Sequence, residues 1–209
     1  MQAFSQLVDV VGPSRVGSRP EIGRAQRIFL SSMAFLGALV LAGIWGVAAG
    51  SHAGHLGVGS ALKVPLLLLA SVLAALPLGL LVFRLTSATG RASDLVLGHA
   101  AATFTGTLVL ALLAPIVALY QYSSAWAGPV VAVASAAVAI GVSFAIFLRV
   151  LAKLAAGGTW LPFVVPVVLL LGLQGAALFQ LASISTPILP ERTLIERGID
   201  GVKPMESAQ

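Results

Sequence analysis

The sequence predicts an all-α fold: a polytopic transmembrane helical bundle of five spans, with its N-terminus inside and its C-terminus outside. Three observations lead there. Of the 209 residues, 58% are hydrophobic and only 9% charged, and the mean hydropathy is +1.03, whereas soluble domains carry charge on roughly a quarter of their residues. Five apolar runs have about the length, roughly 20 helical residues, that a hydrocarbon core demands. Lysine and arginine gather in alternate connections, the pattern that orients membrane helices.

Residues 1–27 form a polar, basic segment, expected in the cytoplasm. Phe4, Leu7, Val8 and Val11 fall on one helical face before Gly12-Pro13, a spacing that fits either a short interfacial helix or a frayed tail. Ser18-Arg-Pro-Glu21 has the composition of a helix start, with proline in the first turn and an acid near the positive end of the dipole. Residues 28–184 form the membrane domain, with spans at about 28–50, 64–83, 95–120, 129–148 and 160–184. The first run follows Arg24 and Arg27 and ends at Ala48-Ala49-Gly50; it is much longer than a cleaved leader's apolar stretch, so it reads as an uncleaved anchor. Span two opens near Pro65 and carries Pro77 in its interior, where a kink is expected. Residues 185–209 form a short extracytoplasmic tail, either disordered or carrying a two-turn amphipathic helix around Leu194, Ile195 and Ile199.

Orientation follows from the short flanks. Arg15, Arg19, Arg24 and Arg27 precede span one, Arg84 and Arg91 lie between spans two and three, and Arg149 and Lys153 follow span four. The opposite connections hold Lys63 and, from Gln121 to Gly128, no basic residue. The tail's Arg192, Arg197 and Lys203 oppose this assignment but stand among Glu191, Glu196, Asp200 and Glu206. Tyr120, Tyr122 and Trp126 fall at the proposed outer boundary and Trp160 at the inner one, where amphipathic rings anchor helices.

Small residues recur at every fourth position of span one: Ala34, Ala38, Ala42, Gly46 and Gly50. Such a smooth stripe lets another helix approach closely, in this chain or another subunit. Span four repeats the device with Gly128, Ala132 and Ala136, and again with Ala137, Gly141 and Ala145; span two offers Ser71, Ala75 and Gly79. No ionisable Asp, Glu, Lys or Arg lies in a span interior. The polar stripe is His99, Thr103 and Thr107, continuing into Ala111 and Pro115, with Gln174 in span five. Threonine hydroxyls bond back to their own helix and glutamine bridges helices, so the stripe reads first as structural and second as a substrate path.

Several chemistries are excluded or disfavoured. The absence of cysteine removes disulfides, thiolate nucleophiles and Cys-ligated metals. His52 and His55 make an H-x-x-H in a glycine-rich connection, without the further ligands a closed metal site needs. They do not share a depth with His99, so haem held between helices is not expected, and no cofactor is. There is no G-x-S-x-G, H-E-x-x-H or phosphate-binding Gly-Lys loop, and Ser71, Ser135 and Ser143 lack a base at matching depth. The formal charge of +5 is dispersed over short connections, which argues against nucleic acid.

Ala61-Leu-Lys-Val-Pro65 before span two, Gly90-Arg91 before span three and Ala114-Pro115-Ile116 within it, together with the five-span layout, resemble the Yip family of small membrane proteins, which has bacterial relatives. The resemblance implies a non-enzymatic organising role exerted through protein partners. The long N-terminal segment with which eukaryotic members engage small GTPases has no counterpart here, so that role is not implied. The expectation is a membrane scaffold or accessory subunit, with membrane lipids and other integral subunits or copies of itself as partners. The alternative is a small-solute transporter or channel component, against which an odd span count stands because inverted repeats come in pairs. Alanine-rich spans and plain connections point to a bacterial inner membrane.

Overall fold

The computed structural model describes residues 23–51, 56–86, 92–124, 126–154, 164 and 167–176. These form four long helices and a short one: α1 Arg24–Gly50, α2 Leu56–Thr86, α3 Ala92–Ser123, α4 Ala127–Leu154 and α5 Val167–Ala176. No strand occurs among the described residues. The first four are long and apolar enough to cross a membrane. The 27 residues of α1 span about 40 Å at 1.5 Å per residue, against the roughly 30 Å of a hydrocarbon core.

Each of the four long helices outruns its apolar stretch because hydrogen bonding continues where hydropathy stops. Thus α1 begins at Arg24 behind an extended Gly23, and α3 runs on past Tyr120 to Ser123. Helix α2 is continuous through both Pro65 and Pro77, and α3 through Pro115. At the far end of α1, Ser51 caps the helix by donating its hydroxyl to the Ala48 carbonyl at 2.8 Å. Of the expected fifth span, 160–184, the described helix covers Val167–Ala176, which by itself is too short to cross. The N-terminal segment before residue 23, His52, His55, Gly90-Arg91, Trp160 and the tail lie outside the described residues.

Helices α1 and α3 lie side by side, parallel and in step. Arg27 pairs with Asp94, Ala34 packs with Ala100, and Ala49 with Val117. A methyl group at Gly37 would meet the Phe104 ring at 2.8 Å, so glycine there lets the ring seat against α1. Helix α4 runs antiparallel to both: Phe147 joins Leu95 and Ala102 at one end, and Ala132 joins Ala49 and Val117 at the other. Helix α2 packs on α1 and touches α3 only sparsely.

The short α5 inserts Val167 and Leu170 into the core formed by Phe83, Leu95, Ala102 and Phe147. Leu170 occupies the space a side chain at Gly79 would need. Large apolar side chains such as Leu36, Val40, Leu73, Leu112 and Ile140 point outward. An apolar exterior around an interior of small residues suits lipid as solvent, where helix association relies on close van der Waals packing.

Candidate functional site

The polar stripe of α3 starts in the centre of the bundle and leaves it. His99, Thr103 and Thr107 are buried, Ala111 is half-buried and Pro115 is exposed. A four-residue step overshoots one turn of a 3.6-residue helix by about 40°, so a stripe at that spacing winds off any straight face. Thr107 satisfies itself locally: its hydroxyl lies 3.0 Å from the carbonyl oxygens of both Thr103 and Phe104. Ser31, Ser71 and Ser135 bond back in the same manner.

His99 is different. It is fully buried, and among the described residues neither Nδ1 nor Nε2 has a hydrogen-bond partner. Its ring sits between two phenylalanines, with centroids 6.0 Å from Phe35 of α1 and 5.6 Å from Phe147 of α4, both tilted. A neutral imidazole has one donor and one acceptor to satisfy, and an unpaired buried polar group costs about 1–3 kcal/mol. The Oε1 atom of Gln174 is likewise buried without a partner among the described residues. No hydrogen bond joins Gln174 to the α3 stripe among the described residues. The two aromatic walls of His99 gave no signal in the sequence, because Phe35 and Phe147 reach it from other helices.

The small-residue positions divide by face. Ala34, Ala38, Ala42, Gly46 and Gly50 are all buried within the chain. On α4, Gly128 and Ala132 are buried but Ala136 is only half-buried, and Ser135 and Ala139 hold the inner face in its place. Gly128 lies so close to Gln121 that a methyl group would sit 2.9 Å from its Cα, which closes the α3–α4 connection tightly. Ser71, Ala75 and Gly79 face inward. By contrast, Ala137, Gly141 and Ala145 are exposed, and a side chain at Gly141 would meet nothing within 4 Å.

Two interhelical contacts were not foreseen from sequence. The Trp45 indole N–H donates to the Ser135 hydroxyl at 3.1 Å, and that hydroxyl in turn donates to the Ala132 carbonyl at 2.7 Å. At Gly106, α3 and α4 approach so closely that a methyl group would overlap the Ser143 hydroxyl and lie 3.2 Å from the Ala139 carbonyl oxygen. Among the described residues no three His, Asp or Glu side chains lie together as a metal site would require. Comparison with protein-family models, curated proteins and solved structures found no match.

Proposed function

We propose that this chain is a non-enzymatic integral membrane scaffold or accessory subunit of a larger membrane assembly, spanning the bilayer five times with its N-terminus in the cytoplasm of a bacterial cell. The observation that carries the reading is the open stripe Ala137, Gly141 and Ala145 on α4. The equivalent stripe of α1 is consumed inside the bundle, whereas this one presents a smooth outer face on which a second membrane helix could lie closely. The orientation rests on charge: Arg24, Arg27, Arg84 and Arg149 all belong to the end of the bundle that carries the start of α1, and Lys63 to the other. The resemblance to the Yip family agrees with a role exerted through partners.

Extraction from the native membrane in mild detergent, followed by mass spectrometry of the intact particle, tests the proposal. The expected particle contains this chain in fixed stoichiometry with another integral protein or with itself, and Gly141→Phe releases the partner. A lone chain in both preparations removes the reading.

A second reading, a small-solute transporter or channel component, is favoured by one observation, the unpartnered His99 ring at the bundle centre. Intramembrane ionisable residues commonly mark solute or proton paths. Flux into liposomes that is unchanged when His99, Thr103, Thr107 and Gln174 are all replaced by alanine would exclude it.

A further inference from the structure

At the end of the bundle where α1 and α3 begin and α2 ends, the sparse contact between α2 and α3 leaves a cavity of about 710 Å³. Its rim is cationic: Arg24 and Arg27 come from α1 and Arg84 from α2. The rest of its lining is mostly apolar, with Ile28, Phe35, Leu80 and Val96 beside the small Ser31, Ser32 and Ser93.

The charges do not balance. Asp94 is the single acidic residue among those described, and it is engaged by Arg27. Arg24 and Arg84, both exposed and supplied by different helices, have no carboxylate to meet among the described residues. Two guanidinium groups lining one slot are suited in chemistry to bidentate recognition of a phosphate. The Ser32 hydroxyl on the same lining adds a neutral donor.

A free anion would use only the rim. An amphipathic slot, cationic at the interface and apolar toward the bilayer interior, matches a molecule with both parts. We propose that this cavity is a binding site for an anionic phospholipid, whose headgroup phosphate lies between Arg24 and Arg84 and whose acyl chain runs along Ile28, Phe35 and Leu80. Basic pockets between membrane helices take anionic headgroups on this principle. The site is independent of any protein partner on α4, which occupies a different helix.

The test is native mass spectrometry of the delipidated full chain, titrated with phosphatidylglycerol, phosphatidylcholine or inorganic phosphate. Arg149 is the control: it is exposed at the same end of the bundle but outside the cavity. Phosphatidylglycerol should be retained in preference to phosphatidylcholine, and R24Q/R84Q should weaken its binding about thirtyfold, as expected for two lost interfacial charges. R149Q should change binding less than twofold. Equal losses in R24Q/R84Q and R149Q would show a diffuse surface charge and overturn the site. Equal retention of the two lipids would overturn the headgroup assignment. Competition by inorganic phosphate at concentrations comparable to the lipid would overturn the lipid as its source. Thermal melting of each variant without lipid shows whether it folds; if R24Q/R84Q does not, Ser32→Leu with Val96→Trp, which fills the slot and keeps both arginines, must abolish retention instead.

Discussion

Arg27 of α1 and Asp94 of α3 form an ion pair between two parallel helices, with only 12% and 15% of their side chains exposed. The Arg27 guanidinium also lies 3.4 Å from the Ser93 hydroxyl, so the pair is tied to the first turn of α3. It sets the register that the small residues above it then follow, from Ala34 on Ala100 to Ala49 on Val117. Removing one partner deprives a largely buried charge of this ion pair, which is worse than removing both. Asp94→Asn should therefore cost about 1–3 kcal/mol, and the double variant R27Q/D94N should recover part of that loss. Thermal melting in detergent checks the cycle; additive losses would mean that the pair is energetically idle.

Gly106 and Gly141 make opposite predictions for the same substitution. Gly106→Ala drives a methyl group into the Ser143 hydroxyl and toward the Ala139 carbonyl, an overpacking worth about 1–3 kcal/mol. Ser143→Ala in the same chain should restore part of the stability. Gly141→Ala meets open space and should gain up to about 1 kcal/mol from helix propensity. Equal destabilisation at the two sites would contradict the packing described here.

The Trp45–Ser135 hydrogen bond links α1 to α4 on the half of the bundle away from Arg27. Hydrogen bonds between membrane helices average about 0.6 kcal/mol. Trp45→Phe should lose about that amount, and Ser135→Ala somewhat more, because it leaves the indole N–H without its acceptor. Chemical unfolding followed by the remaining tryptophan fluorescence, or by circular dichroism for Trp45→Phe, measures both.

His99 separates the two functional readings without a ligand being known. Between Phe35 and Phe147, both ring nitrogens are without a hydrogen-bond partner among the described residues. His99→Leu removes two unsatisfied polar atoms while filling much of the same space, so stability should stay level or rise by about 1–2 kcal/mol. A scaffold keeps its partner in this variant. Loss of a solute flux with stability intact would instead give the histidine a transport role.

Much of the fold was legible because lipid imposes a simple rule: a spanning helix must be apolar for about 20 residues. The runs beginning near Ile28, Val64, Leu95 and Pro129 each lie inside a long helix. Helix ends were less legible, since Arg24, Tyr122 and Ser123 keep the hydrogen-bonding pattern outside the apolar stretch. A small-residue stripe marks a face but does not name its partner. Sequence alone could not show that the α1 stripe is buried in its own bundle while Ala137, Gly141 and Ala145 remain open. The spacing of four includes Ala136, which is half-buried, while helical winding brings Ser135 and Ala139 to the inner face. The isolation of His99 depends on what three helices place around it, and no local pattern encodes that.

If α4 offers its outer face to a membrane partner, cross-linking from that face in the native membrane captures the partner. The chain contains no cysteine, so a single Gly141→Cys carrying a photoreactive maleimide reports from one position only. Leu73→Cys, on the exposed face of α2, serves as the comparison. A discrete protein adduct is expected from Gly141→Cys and lipid adducts alone from Leu73→Cys. Lipid adducts alone from both positions would contradict a partner on α4.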